Sequence, residues 1–177
     1  MTIKESADQL DWKSLGLDDL KGLGADKRLP SIQQEPAAAT LEDAVAVLIR
    51  KFGFDGDESS VAMTTPVGDI QVCRDSLPHI VEKRPDARER YVNHAIATLC
   101  DPFEVWEVAY TDGSFRHAFI GTFEERNMML VVATITPERI LWNFMHSEAK
   151  SMNKHRHGKL VYARHAVTST TNKKRQP

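Results

Sequence analysis

Four segments of this sequence have the patterns of β-strands, either alternation with a period of two or, in the third, a strongly apolar run, and short turns separate them. They are Glu104 to Tyr110, Phe115 to Phe123, Met128 to Thr134 and Ile140 to Met145. The first turn contains Asp112-Gly113, which is typical of tight hairpins. Strands joined by such short turns pair with their sequence neighbours, so the pattern predicts a four-stranded antiparallel sheet.

Helical patterns precede these strands. One helix is predicted from Thr40 to the residue before Gly53, a second through Val81, and a third between Pro85 and Pro102. Helices followed by a run of strands indicate the α+β class. The predicted fold is therefore a set of N-terminal helices followed by a four-stranded antiparallel β-sheet.

The chain divides into three predicted parts. Residues 1–60 are interpreted as an N-terminal linker or docking segment with one helix, residues 61–165 as the folded domain, and residues 166–177 as a disordered basic tail. Trp12 and the leucines that follow it suit a motif that docks on another surface. A linker with a few apolar residues is the alternative.

Charge and cysteine content narrow the function classes. The formal net charge of -2 argues against a globally basic nucleic-acid coat, although the chain has no acidic residue after Glu148. Cys73 and Cys100 predict a reducing compartment, with a bridge between them as the alternative. No apolar run approaches the roughly 20 residues that span a bilayer, and the N-terminus lacks the apolar core of a signal peptide. We expect a soluble protein that does not bind membranes.

Basic residues and a histidine occupy the helices ahead of the sheet. His79 and Lys83 are four residues apart and share a helix face, and Arg84 follows where the helix ends. A cation can hold a phosphate while histidine, which titrates near neutrality, transfers a proton. A solvated basic helix face is the alternative, and spacing alone favours it.

Arg116 lies in the second strand of the predicted sheet, and its neighbour His117 points to the opposite face. A guanidinium fixed on a strand can bind phosphate. A cross-strand ion pair with Glu104 or Glu107 is the alternative.

The last predicted strand combines aromatic and polar residues. Alternation places Trp142 and Phe144 on one face, where Trp142 is either part of the core or a platform for base stacking. Asn143, if buried, must be hydrogen-bonded, so it either ties a neighbouring loop or lines a pocket. His146 ends the strand, where side chains commonly emerge at a site.

Basic residues after this strand predict a solvated basic loop, for which contact with RNA phosphates is the functional interpretation. The predicted nucleic-acid-binding set consists of Lys154, Arg156 and Lys159, with Arg88 and Trp142 from earlier in the chain. A zinc site made of His146, His155, His157 and His165 is conceivable, but their spacing matches no zinc pattern. The sequence also lacks a Walker loop, a dinucleotide fingerprint and a tight carboxylate cluster for magnesium. A nuclease of this kind is predicted to need no metal and no cofactor.

A series of motifs resembles the phage-type branch of the Barnase–EndoU–colicin–RelE-like nuclease superfamily. The motifs are LPHIVEKR (77–84), RERY (88–91), DPFEVW (101–106), YTDGSFR (110–116), LVV (130–132), LWNF (141–144) and KLVY (159–162). They follow one another in continuous order from Thr65 to Tyr162. Domains of this type often lie at the C-terminus of Mu F-like phage head morphogenesis proteins.

The resemblance implies helices followed by a four-stranded antiparallel sheet, and a metal-independent ribonuclease that is usually a toxin. Its motif positions here are His79, Lys83, Arg84, Arg116 and Asn143. The expected partners are RNA, with tRNA among the candidates, an immunity protein or antitoxin, and a component of a phage head or secretion system. The expected location is the bacterial cytoplasm, or a virion or delivery into the cytoplasm of a target cell.

The predicted reaction is RNA cleavage by transesterification. His79 is the predicted base for the ribose 2′-hydroxyl, and His146 or Tyr162 is predicted to protonate the leaving 5′ oxygen. The cations predicted to stabilise the transition state are Lys83, Arg84 and Arg116. The alternative is a non-catalytic module of a phage head that has a structural or nucleic-acid-binding role.

Overall fold

The fold is built around a seven-stranded mixed sheet. The computed structural model describes residues 2–135 and 138–165 of the chain. The strands are β1 (Ser60–Met63), β2 (Ile70–Cys73), β3 (Glu104–Ala109), β4 (Phe115–Gly121), β5 (Asn127–Thr134), β6 (Ile140–Glu148) and β7 (Lys159–Ala163). Their order across the sheet is β1-β2-β6-β5-β4-β3-β7, and every adjacent pair is antiparallel except β2 and β6.

The α+β class is confirmed, and β3 to β6 form the predicted antiparallel meander. The prediction of four strands was wrong, because β1 and β2 extend one side of the sheet and β7 extends the other. These strands have only four or five residues each. No short hairpin turn joins β2 or β7 to the meander, so the sequence carries little signal for their pairing.

Three helices cover one face of the sheet, namely α1 (Leu41–Phe52), α2 (Leu77–Val81) and α3 (Val92–Cys100). A fourth, α4 (Ala149–Met152), follows β6. The prediction for α1 is confirmed, since the Thr40 hydroxyl accepts a hydrogen bond from the Asp43 amide and Gly53 ends the helix with φ of 85°. No helix within the described ranges is long and apolar enough to cross a membrane.

The predicted third helix is interrupted. Two short 3-10 helices, Arg84–Asp86 and Arg88–Tyr91, take the place of its first half, and Ala87 between them has φ of 43°. A left-handed residue breaks the α-helical hydrogen-bond pattern. The break separates Arg84 from Arg88, which therefore reach different partners.

The helices and strands share one hydrophobic core on this face. Ala44, Leu48 and Phe52 of α1 belong to the same buried cluster as strand residues such as Phe119 and Phe144. The boundary predicted at residue 60 therefore runs through a continuous core. The tail predicted for residues 166–177 lies outside the described residues.

The N-terminal segment covers the other face of the sheet. Leu20 and Leu23 are buried there against Trp106, with Met152 of α4 in the same cluster, and Trp12 packs at its edge. The predicted docking motif therefore packs on the sheet of its own chain. Burial of large apolar side chains of this kind contributes about 1.5–3 kcal/mol each.

A buried ion pair joins this segment to the sheet. Arg156 donates from Nε and Nη2 to the two carboxylate oxygens of Glu104, at 2.6 and 2.9 Å. Its Nη1 donates to the Asp18 carbonyl and to Oδ1 of Asn153. The guanidinium carbon also lies 5.1 Å from the ring centroid of Trp12. The assignment of Arg156 to a nucleic-acid-binding surface is therefore corrected, because its side chain is 1% exposed and its charge is already paired.

We expect Arg156→Ala to lower the free energy of unfolding by about 3–5 kcal/mol, because it leaves the Glu104 carboxylate buried without its cation. Urea denaturation measures this quantity. The matched control is Lys154→Ala, which removes an exposed cation from the same turn and should change stability by less than about 0.5 kcal/mol. Equal midpoints for wild type and Arg156→Ala would contradict the assigned role.

Candidate active site

Three of the predicted site residues lie in one row with a tyrosine that was not predicted. The imidazole centroid of His79, in α2, is 5.5 Å from the ring centroid of Trp142 in β6. The guanidinium carbon of Arg116, in β4, is 5.1 Å from the Trp142 ring centroid and 4.3 Å from that of Tyr110. We call His79, Trp142, Arg116 and Tyr110 the stacked row.

A bulge in β6 turns Trp142 outward. Val132 of β5 pairs with Asn143 and Ala133 pairs with Leu141, so Trp142 has no partner on β5. Bulges of this kind change the direction of a side chain. Trp142 is 43% exposed, whereas Phe144 is fully buried. The prediction that these two residues share a face was wrong, because alternation holds only along a regular strand.

The ion pair considered as the alternative for Arg116 does not form. Glu104 holds Arg156, and Glu107 contacts Nε2 of His117 at 3.4 Å. His117 is buried beside Glu107 on the helix-covered face, and burial lowers the pKa of its imidazole. The charge of Arg116 instead faces the rings of Trp142 and Tyr110, which attract a guanidinium through their π-electrons. Its hydrogen-bond donors remain suited to an anion such as phosphate.

Arg84 is a structural residue in this arrangement. It donates to both carboxylate oxygens of Glu89 and to the carbonyls of Val81 and Ala38. Glu89 is fully buried. Burial pushes the pKa of Glu89 upward, but hydrogen bonds from Arg84 and from the Ala38 amide outweigh it and lower the pKa. The predicted role of Arg84 at the phosphate is corrected, because this carboxylate already neutralises its charge.

Asn143 ties a loop to β6, which is one of its two predicted roles. Its Oδ1 accepts from Nη1 of Arg88 at 2.7 Å and from the Phe144 amide at 2.8 Å. Arg88 also contacts Asp86 at 3.3 Å. Arg88 is thus held beside β6 at Asn143, the residue that follows the exposed Trp142.

His146 lies further along β6, beyond the stacked row. Its ring centroid is 3.8 Å from that of Tyr91, and burial together with the charge of Arg90 lowers the pKa of its imidazole. It lies four positions further along the strand than Trp142, a distance of about 13 Å. The structure therefore does not bring His146 to the row.

The remaining predicted residues are spread over the surface or the far edge of the sheet. Lys83 is exposed just beyond the end of α2, Lys154 is exposed in the turn before β7, and Lys159 is exposed in β7. Tyr162 lies in β7, two strands from β4, and packs against the helix-side core. The structure does not bring Tyr162 to Arg116.

No group of three or more histidine, cysteine, aspartate or glutamate side chains is arranged to hold a metal ion in residues 2–135 and 138–165. The zinc alternative built from His146, His155, His157 and His165 is therefore not formed there. His157 instead contacts Glu5, and His146 contacts Tyr91.

Sequence reasoning missed Tyr110. It follows β3 directly, and the turn around Gly113 returns the chain to β4 so that Val108 pairs with Arg116. A tight hairpin brings the residues on either side of its turn together. The Asp112-Gly113 signal could therefore have placed Tyr110 near Arg116.

Residues 47–163 match a family described as phage-Barnase-EndoU-ColicinE5/D-RelE like nuclease2. The chain belongs to this family. It is therefore a nuclease domain, an enzyme that acts on nucleic acid, and the match includes every member of the stacked row. Comparison with curated proteins and with solved structures found no match. The family match begins within α1, so the N-terminal segment that covers the sheet lies outside it.

The lowered pKa of Glu89 predicts a pH-dependent contribution to stability. A carboxyl group whose pKa is lowered by folding stabilises the folded state above its ordinary value of 4.5, and this contribution is lost as pH falls through the folded value. We expect the difference in unfolding free energy between wild type and Glu89→Gln to be largest near neutral pH and to shrink below pH 4.5. Urea denaturation at several pH values measures it.

The control for this experiment is Glu42→Gln, an exposed carboxylate in the first turn of α1. Its effect should be small at every pH. A difference between wild type and Glu89→Gln that stays constant as the pH is lowered would contradict the assigned pairing of Glu89 with Arg84.

Proposed function

We propose that this domain is a metal-independent endoribonuclease that cleaves RNA by attack of the ribose 2′-hydroxyl. The observation that carries the proposal is the stacked row, in which Arg116 lies against both Trp142 and Tyr110 with His79 beside Trp142. Exposed aromatic rings bind nucleic-acid bases by stacking, and a guanidinium binds phosphate. Family membership supports nucleic acid as the substrate.

The choice of RNA rests on the kinds of residues in the row. RNA carries its own nucleophile, the 2′-hydroxyl, which lies next to the phosphorus that it attacks. A base and a cation therefore suffice to cleave it. The row offers an imidazole and a guanidinium, and carboxylates in the described part of the chain do not cluster as they do at magnesium sites.

Glu82 supports the proposed role of His79 as the base. The Nδ1 atom of His79 lies 3.2 Å from Oε1 of Glu82, one helical turn away. A carboxylate at Nδ1 favours the tautomer in which this nitrogen carries the proton, so Nε2 is left with a lone pair. Nε2 then accepts the proton of the 2′-hydroxyl, as the oriented imidazole does in other nucleophile–base pairs.

In the proposed reaction a base of the RNA stacks on Trp142, and Arg116 binds the adjacent phosphate. The 2′ oxygen forms a bond to phosphorus, and the bond from phosphorus to the 5′ oxygen breaks. Arg116 stabilises the charge that develops on the phosphoryl oxygens. The products are a 2′,3′-cyclic phosphate and a 5′-hydroxyl.

The proposed biological use is as a toxin or effector domain. The docking motif that supported a structural module of a phage head packs on the sheet of its own chain, which weakens that alternative. Expression in bacteria tests the proposal, because a toxic nuclease stops growth and a structural module does not. The immunity protein and the phage or secretion-system component remain proposed partners.

We expect wild-type protein to cleave RNA in the presence of EDTA and to leave a 2′,3′-cyclic phosphate. His79→Ala should reduce kcat/KM by about 10²–10⁴-fold, as expected for loss of a general base. Arg116→Ala should reduce it by about 10²–10³-fold, as expected for loss of a donor to the transition state. Gel analysis and phosphorus NMR of the products measure both outcomes.

The matched control is Arg50→Ala, which removes an exposed guanidinium from α1. It should cleave RNA at the wild-type rate. Complete inhibition by EDTA, or full activity of both His79→Ala and Arg116→Ala, would overturn the proposed mechanism.

A separate measurement tests base stacking on Trp142. Trp142→Leu should weaken binding of a 2′-O-methyl oligonucleotide, which cannot be cleaved, by about tenfold, since one stacked base contributes about 1–3 kcal/mol. Phe115→Leu is the control, because Phe115 is similarly exposed but lies outside the stacked row. Fluorescence anisotropy gives both affinities, and equal losses in the two variants would argue against a stacking site at Trp142.

A further inference from the structure

We propose that Tyr110 donates the proton to the leaving 5′ oxygen, and that Glu5 of the N-terminal segment is its positioning residue. This inference rests on the proposed ribonuclease function. It assigns the second proton transfer, for which His146 and Tyr162 were the sequence-based candidates. It also extends the site into residues that lie outside the family match.

Tyr110 is the titratable side chain in direct contact with the proposed phosphate ligand. Its ring centroid is 4.3 Å from the guanidinium carbon of Arg116, and the charge of Arg116 acts on the pKa of its hydroxyl. A phosphate bound by Arg116 therefore lies close to the phenol. His146 is about 13 Å further along β6 than Trp142, and burial lowers the pKa of its imidazole, which makes the protonated form scarcer.

The backbone of the N-terminal segment holds Glu5 next to Tyr110. Glu5 and Tyr110 form an isolated antiparallel bridge. On either side of this bridge, the Ser6 amide donates to the Ala109 carbonyl at 2.9 Å and the Thr111 amide donates to the Lys4 carbonyl at 2.8 Å. The segment thus continues the sheet beyond the end of β3 and places Glu5 next to Tyr110, where the charge of the Glu5 carboxylate acts on the phenol.

His157 fixes the Glu5 carboxylate from the other side. Its Nε2 lies 2.6 Å from Oε2 of Glu5, and its Nδ1 lies 2.9 Å from the Lys154 carbonyl oxygen. The imidazole is thus held between the Lys154 carbonyl and the Glu5 carboxylate. Tyr110, Glu5 and His157 are therefore neighbours, and Tyr110 lies against Arg116.

The surroundings of Tyr110 keep its hydroxyl protonated at neutral pH. Burial raises the pKa of Tyr110, Arg116 lowers it, and Glu5 raises it again, with a net upward shift. A protonated phenol can still donate to the leaving group, because the ribose alkoxide is a much stronger base than a phenolate. The charge of Arg116 stabilises the phenolate that forms.

The two proton transfers complete the cleavage step. The proton of the 2′-hydroxyl goes to Nε2 of His79, and the proton of Tyr110 goes to the 5′ oxygen as its bond to phosphorus breaks. In-line displacement requires the base and the acid to approach the phosphate from different directions. His79 is connected to Arg116 through Trp142, whereas Tyr110 touches Arg116 directly. The imidazolium then releases a proton to solvent and the phenolate takes one up.

The test compares two substrates that differ in their leaving group. Uridylyl-(3′→5′)-adenosine releases an alkoxide that needs a proton, whereas uridine 3′-(4-nitrophenyl phosphate) releases a nitrophenolate that does not. We expect Tyr110→Phe to lower kcat/KM for the dinucleotide by about 10²–10⁴-fold and to change it by less than about threefold for the nitrophenyl ester. His79→Ala should lose activity on both substrates, because both require deprotonation of the 2′-hydroxyl.

The matched control is Tyr91→Phe, which removes a hydroxyl from a buried tyrosine that packs against His146 and should leave both rates unchanged. Equal losses on the two substrates for Tyr110→Phe would overturn its role as the acid, as would unchanged rates on both. If wild-type protein cleaves neither substrate nor longer RNA, the proposed ribonuclease function itself fails.

Glu5→Gln tests the positioning role through the pH profile. Removal of the Glu5 charge lowers the pKa of Tyr110, so the alkaline limb of kcat/KM for the dinucleotide should move to lower pH. A loss of structural integrity alone would lower the rate without moving this limb. A limb at the wild-type position in Glu5→Gln would overturn the assignment of Glu5.

Discussion

The buried pair of Arg156 and Glu104 is the interaction on which the rest of this structure depends. A charge is tolerated in a protein interior only when it is paired and hydrogen-bonded. Glu104 begins β3, Arg156 follows α4, and the carbonyl of Asp18 supplies a further acceptor from the N-terminal segment. Three segments that are distant in sequence must therefore meet for the charges to be satisfied. The packing of these segments also places Glu5 and His157 beside the end of β3.

The candidate site lies where regular structure ends. Trp142 is exposed because a bulge interrupts the pairing of β5 and β6, and Tyr110 follows the last residue of β3. Pairing also decides which arginines are available to a substrate. Arg84 is neutralised by Glu89 and Arg156 by Glu104, whereas Arg116 lies against the rings of Trp142 and Tyr110 and forms no ion pair among the described residues. This difference makes Arg116 the proposed phosphate ligand.

Local signals in the sequence were sufficient for the regular elements. Alternation and the Asp112-Gly113 turn predicted the central meander, and the Thr40 cap with Gly53 predicted α1. The edge strands β1 and β7 were not predicted, because a strand of four or five residues has too few positions for a periodic signal. The left-handed Ala87 was missed because alanine carries no preference for that conformation, and it is tolerated here only with the surrounding contacts in place.

The sequence by itself determined the α+β class, the central strands and the basic and aromatic residues from which a nuclease site could be made. Only the tertiary structure decided which of them are available, because burial and charge pairing depend on partners such as Glu89 that no spacing rule identifies. The tertiary structure also decided that the N-terminal segment packs on the sheet and brings Glu5 to Tyr110. The sequence did not predict this packing, because an irregular segment has no periodic pattern that identifies the surface on which it packs.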